Sequence, residues 1–344
     1  SKKLHAAVMW LVAIGGNLSA FFILAANGFM QSPVGFWVQN GRAEMTDFGA
    51  LLANPRAWLL FTHTISSGLV TASFFILGFS AWHLLKQKDE KAFQTSFKLS
   101  AIVGFFAVLA VIGTGDAQGR YLKSVQPMAA AASEAHFETQ DPADFIVIAG
   151  FDKTGREITW SLKIPKALSM LYYMKPSGEV VGMNDVQAEY VAKYGEGDYI
   201  PNVVLDFWTF RIMVGLGFLM AAISLVTWFI AGKKYPAKAN WILKLLPIAI
   251  SFPYLANTAG WILTETARQP WVVTGLIQTK DAISPNLTTT TVLISLIGFV
   301  LVYAVLMGVD LFLLIKYAKQ GLAGAETDSV PPDELLEEKT KGGK

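Results

Sequence analysis

The chain has 344 residues, of which 53% are hydrophobic and only 16% charged, with a net charge of +2 and a mean hydropathy of +0.42. Soluble domains carry about 25% charged residues, so the two or three soluble domains that length alone would allow are excluded by composition. A charge this small argues against a nucleic-acid surface, and the absence of cysteine excludes disulfides, thiolate zinc sites and Cys-held iron–sulfur clusters.

Taken in chain order, six stretches lack Asp, Glu, Lys and Arg: Val8–Met30, Ala57–Leu85, Leu99–Gly115, Ile212–Gly232, Leu245–Thr264 and Thr288–Val309. A hydrocarbon core about 30 Å thick needs about 20 apolar residues as helix, and backbone groups in lipid must be bonded within the segment. The expectation is an all-α integral membrane protein with six transmembrane helices, the third the shortest. The first run is too long for the apolar region of a signal peptide and leads into further spans, so it is read as a membrane helix.

Lysines set the orientation. Lys86, Lys88, Lys91 and Lys98 lie between spans two and three, and Lys233, Lys234, Lys238 and Lys244 between four and five. Lys2 and Lys3 precede the first span, and Lys316 and Lys319 follow the last. All four groups fall on one side, so both termini are expected in the cytoplasm. The outer side then receives Gln31–Arg56, Asp116–Arg211 and Glu265–Leu287.

The Asp116–Arg211 segment is too long for a simple connection. It reads as a small outer-side lobe, with a helix over Met128–Phe137 and strand-like pieces at Phe145–Ala149 and Glu157–Ile164. The chain thus divides into a three-helix membrane segment (1–115), the outer lobe (116–211), a second three-helix segment (212–320) and a charged tail (321–344) expected to be disordered.

Polar residues at membrane depth are costly and point to function. His63 lies about two turns inside the outer end of span two, Met213 opens span four two residues after Arg211, and Glu265 closes span five ahead of Arg268. This set suits haem, because His and Met form an axial pair and arginines can meet propionates. Each member also has a structural reading: His63 as an interhelical hydrogen-bond donor, Met213 as packing, Glu265 with Arg268 as an interfacial ion pair, and Trp261 as an interfacial anchor. Ser19 and Asn27 on the first span are either the lining of a proton path or small polar packing residues. His5 and His83 are expected to face headgroups or solvent at the cytoplasmic ends, and His136 has no second histidine nearby for zinc.

Several separated runs then resemble one family. Gly-Asn-Leu-Ser-Ala (16–20), Ala-Asn-Gly-Phe-Met-Gln (26–31), Asn-Gly-Arg-Ala-Glu-Met (40–45), His-Thr-Ile-Ser-Ser-Gly (63–68), Phe-Arg-Ile-Met-Val (210–214) and Arg-Gln-Pro-Trp (268–271) are similar, in order, to subunit I of cytochrome bd quinol oxidases. The resemblance implies that His63 and Met213 ligate a low-spin haem b with Arg211 beside it. It also implies that Glu265 is a ligand at an oxygen-reducing site of high-spin haem b and haem d, with Trp261 and Arg268 near those haems. The outer lobe corresponds to a short quinol-binding loop, in which Glu134 and Asp116 are assigned to quinol oxidation, a carboxylate accepting the proton as electrons leave. Where the family has a lysine five residues before that glutamate, this chain has Ala129, with Lys123 further upstream.

The resemblance further implies a prokaryotic cytoplasmic membrane, a second oxidase subunit (subunit II), and a quinol:oxygen oxidoreductase that builds proton motive force without pumping. Three helices that precede the matching region in the family are expected on a separate small polypeptide. Two other readings stay open: a quinol dehydrogenase of the same fold serving another redox partner, and a non-redox transporter or scaffold.

Overall fold

The computed structural model describes residues 1–86, 90–231 and 240–327. Lys88, Lys233, Lys234, Lys238 and tail residues 328–344 lie outside the described residues. Among the described residues, six helical segments are long and apolar enough to cross a membrane.

The first span is α1 (Lys2–Gln31), started by the Ser1 hydroxyl accepting from the Leu4 N–H at 3.2 Å. A hairpin of β1 (Phe36–Gln39) and β2 (Arg42–Met45) and a short α2 (Phe48–Leu52) lead to α3 (Pro55–Leu85). Asn54 caps α3 by accepting from Arg56 N–H, and Pro55 supplies a first-turn residue that needs no N–H partner. The third span is not short: α4 runs Glu90–Val125, well past the apolar run, because the helix continues out of the membrane into the lobe. Asp116 therefore sits inside α4, and Arg211 inside α8 (Val203–Ala231). The fifth span is broken into α9 (Asn240–Ala249) and α10 (Ser251–Thr266). Pro253 has no N–H to return to Ala249, which accounts for the break. The last helix, α11 (Thr289–Thr327), continues past the point where the disordered tail was expected to begin.

The lobe between α4 and α8 holds α5 (Pro127–Ser133), β3 (Phe145–Phe151) paired antiparallel with β4 (Ile158–Ile164), α6 (Ala167–Tyr173) and α7 (Met183–Tyr194). The strands fall where the sequence places them. The helix expected over Met128–Phe137 is shorter, because Glu134 takes the C-cap and Ala135 turns left-handed at φ +52°. After α10, β5 (Trp271–Val273) and β6 (Ile277–Gln278) form a small outer hairpin.

Four spans make a bundle. α3 packs on α4, α9 and α10, and α8 packs on α4 and α10, so α3 and α8 stand diagonally across it. Its inner half is filled by Leu77, Ala81, Phe93, Phe97, Leu243 and Leu246, and its middle by Val70, Phe74, Val108, Met220 and Ala256. His83 belongs to this inner packing rather than to the surface: it is 1% exposed and stacks on Phe93 at 4.1 Å, since α4 reaches far enough inward to cover it. A separate core of Met128, Ile146, Met183, Val186, Tyr199, Phe207 and Trp271 sits in the lobe. By contrast, α1 buries little of its apolar length and α11 none.

Candidate functional site

The apolar filling of the bundle stops one to two turns outward of the Val70–Val108–Met220–Ala256 layer. Seven residues outward on α3 stands His63, seven on α4 Gly115, seven on α8 Met213, and four on α10 Gly260. Spacings of seven and four keep a residue on the same helix face, so the four helices present a His, a Met and two glycines at one level. All four residues are half-buried although their helices pack together.

The glycines are there for room. A Cβ on Gly260 would stand 2.9 Å from the Met213 sulfur, and one on Gly115 would stand 3.3 Å from His63 Cε1. The histidine is oriented as a ligand requires. Its Nδ1 lies 3.0 Å from Thr114 Oγ1, whose hydroxyl donates to the Ala110 carbonyl at 2.8 Å. The threonine oxygen therefore accepts from Nδ1–H, which places the lone pair on Nε2. A His and a Met on diagonal helices, each with a glycine making space beside it, fit an axially ligated haem between them.

Arg211 bonds residues of the lobe. Its Nη2 donates to Glu134 Oε2 at 2.7 Å and to Ile146 O at 2.6 Å, Nε also bonds Ile146 O, and the guanidinium lies 4.5 Å from the Phe145 and Phe207 rings. Nη1 is buried without a partner among the described residues. One residue thus ties the lobe acid to the helix that carries Met213. Burial raises Glu134 above the ordinary carboxylate range, and the Arg211 charge opposes that shift.

Glu265 is joined to α1 rather than only to its neighbour Arg268. Its Oε2 accepts from Arg268 Nη2 at 2.6 Å and its Oε1 from Asn27 Nδ2 at 3.2 Å. The chain of bonds continues: Gln31 Nε2 donates to Asn27 Oδ1, and Arg56 Nε and Nη2 donate to Gln31 Oε1 at 2.8 and 2.6 Å. Arg56 Nη1 reaches Gln118 Oε1 on α4 at 3.0 Å. Arg268 keeps Nε and Nη1 buried and unpartnered among the described residues, which leaves donors for an anionic group.

Of the residues singled out from sequence, His63 and Met213 come to one level of the bundle, Glu134 meets Arg211, and Asn27 meets Glu265 and through it Arg268. Three are not brought in. Trp261 is 47% exposed, Ser19 lies on an exposed part of α1, and Asp116 pairs with Arg120 one turn further along α4. His136 is structural, its Nε2 held 3.1 Å from Val180 O. Sequence reasoning missed Arg56, Gln31, Gln118, Thr114, Gly115 and Gly260. The available signal was spacing: Gly115 and Gly260 sit at core positions of their helices, and Arg56, assigned to the outer loop, lies seven residues before His63.

A multi-pass helical membrane protein with a His/Met cradle in a four-helix bundle is the class that this fold and site define. A family described as cytochrome bd terminal oxidase subunit I matches residues 1–322, and the chain belongs to that family. It is similar to cytochrome bd ubiquinol oxidase subunit 1 of Bacillus subtilis, 46% identical over 331 residues covering 96% of this chain and 71% of that protein. It is 30% identical over 387 residues to the bd-II ubiquinol oxidase subunit 1 of Escherichia coli, covering 95% of this chain and 75% of that one. The solved bd oxidase of Geobacillus thermodenitrificans matches with a TM-score of 0.78 at 30% identity, over 92% of this chain and 70% of that chain. The protein is accordingly a multi-pass protein of a prokaryotic membrane.

Proposed function

We propose that this chain is the quinol-oxidising, haem-bearing subunit of a cytochrome bd-type oxidase. The outer lobe would take quinol, His63 and Met213 would hold a low-spin haem b, and Glu265 would lie with the residues that hold a high-spin haem b and haem d, which would supply the oxygen-reducing chemistry. Membership of the family carries haem, quinol and a second subunit with it. The observation that carries the ligand assignment is the glycine-flanked His63/Met213 level on four packed helices.

Haem supplies the one-electron chemistry; this chain's residues do the rest. Thr114 fixes the His63 tautomer so that Nε2 carries the lone pair that would hold iron, and Gly115 and Gly260 keep space beside His63 and Met213. Arg268 and Arg211 hold guanidinium N–H groups ready for propionates. Glu265 is held between Asn27 and Arg268.

For the quinol ring, a cavity of about 200 Å³ opens in the lobe, lined by Lys123, Pro127, Ala130, Ala131, Tyr172 and Tyr173. Lys123, at the end of α4, supplies the cation there that Ala129 does not: its Nζ donates to Tyr172 O at 3.0 Å and lies 3.4 Å from the Tyr173 ring centre. Glu134 follows the α5 face that forms the cavity wall. Burial, with the Glu134 carboxylate adding to it, raises the Tyr172 phenol, so the ring stays a neutral donor beside that acid. As quinol is oxidised, Glu134 accepts a proton on the outer side, while the protons that form water come from the cytoplasm. Charge therefore separates across the membrane without a pump.

One further chain completes this reading, subunit II. The deciding experiment is a reduced-minus-oxidised spectrum of the purified complex, wild type and His63→Ala, with its chains identified by mass spectrometry. Loss of the low-spin haem b bands in His63→Ala with haem d retained supports the assignment; full low-spin bands in that variant overturn it. Absence of any haem d in the wild type would favour the quinol dehydrogenase instead.

A further inference from the structure

Arg56 is 5% exposed, yet all three of its hydrogen-bonding nitrogens reach only neutral amide oxygens, those of Gln31 and Gln118. A buried guanidinium normally meets a carboxylate, because an uncompensated charge in a low-dielectric interior is costly. Three nearby carboxylates are each taken by another arginine, and the buried Asp206 on α8 bonds Thr266. Asp116 pairs with Arg120 on α4, Glu265 with Arg268 beyond α10, and Glu134 with Arg211 on α8. These charges cancel two by two, and of the four arginines Arg56 alone is left without a carboxylate partner.

Its position gives that charge a target. Arg56 and His63 are seven residues apart on α3, so they share a face and are separated by about 10 Å of helix rise. Resting on the reading of His63 as a haem ligand, we infer that Arg56 is an electrostatic tuning residue that holds the reduction potential of the His63–Met213 haem high. Reduction removes one positive charge from the iron, and a fixed cation nearby stabilises the reduced form relative to the oxidised one. A higher potential on the first acceptor makes electron withdrawal from quinol more favourable.

The test is a visible-spectroscopic redox titration of the low-spin haem in the purified complex. Arg56→Gln removes the charge. Gln118→Glu keeps the guanidinium and its Gln31 bonds but places a carboxylate on Nη1, cancelling the charge in place. Both are expected to shift the ferric-to-ferrous ratio at fixed poise by about tenfold toward ferric, a fall of about 59 mV for a one-electron couple. Arg56→Lys, which keeps the charge, stays near the wild-type midpoint. Wild-type midpoints in Arg56→Gln and Gln118→Glu overturn the inference. Where Arg56→Gln does not assemble, Gln118→Glu alone decides. His63→Ala separates the two claims: retained low-spin haem there defeats the ligand reading, whereas lost haem with unmoved midpoints defeats only the role of Arg56.

Discussion

At the scale of single residues, the Glu134–Arg211 pair governs what the lobe can do at different pH. Glu134 is held above the usual carboxylate range by burial, so at acidic pH it is protonated and, on the proposed reading, would have no carboxylate free to take a quinol proton. The rate of quinol oxidation is expected to rise with pH through a window above that of an ordinary carboxylate, and Glu134→Gln is expected to remove this limb from the pH–rate profile. The stability effect of Arg211→Met runs the same way along the pH axis. With Arg211 gone, Glu134 is left buried and unpaired, a loss of about 3–5 kcal/mol when ionised. That loss is small where Glu134 is protonated, so the gap in unfolding temperature between the variant and wild type should widen from acidic to neutral pH; a constant gap would mean that Arg211 acts through its ring contacts instead. Asp152 gives a simpler case of the opposite sign. It accepts from the Thr154 hydroxyl and from the N–H groups of Thr154, Arg156 and Glu157, which hold its carboxyl well below the usual range. The turn between β3 and β4 is expected to keep its amide protection above the ordinary carboxylate range and to lose it as the pH falls through and below it, and Asp152→Ala should lose that protection at every pH by hydrogen exchange.

At the scale of elements, the bundle depends on places where helices approach too closely for a side chain. A Cβ on Gly78 would stand 2.6 Å from the Leu246 carbonyl oxygen on α9, and one on Gly28 would stand 2.9 Å from the Ala57 amide on α3. Gly78→Ala is expected to part α3 from α9 and cost about 1–3 kcal/mol of stability by overpacking, measured by thermal unfolding in detergent. Gly260→Val should act on chemistry more than on stability, pushing the Met213 sulfur aside and weakening the low-spin haem bands relative to the other haems. Much of this level was legible in advance. The six spans follow from unbroken apolar runs, and His63 and Met213 stood out because a polar or sulfur group at depth is conspicuous. Helix ends were not legible, since α4 and α8 leave the membrane without changing secondary structure and the apolar run marks lipid rather than helix. Nor were the glycines, whose role depends on which helix lies opposite, or the Arg56–Gln31–Asn27–Glu265 chain, which joins residues far apart in sequence through two neutral amides.

At the scale of the whole molecule, the lobe and the bundle are two cores linked by helices that run continuously through both. Both α4 and α8 enter the lobe as they leave the bundle, so the cavity beside α5 and the His63/Met213 level beside Gly115 share rigid struts. That continuity should keep the lobe docked even when its own packing is loosened. Limited proteolysis of a lobe-core variant such as Met183→Ala is expected to cut within 135–202 while the bundle keeps its low-spin haem.

The uncovered face of α11 bears on synthesis. The four helices that surround the His63/Met213 level are complete once Thr266 has been made, and the apolar stretch of α11 is unburied among the described residues. A chain emerging from the ribosome can therefore close the bundle around His63 and Met213 while α11 is still being translated, and α11 then joins a membrane surface already shaped by the helices before it.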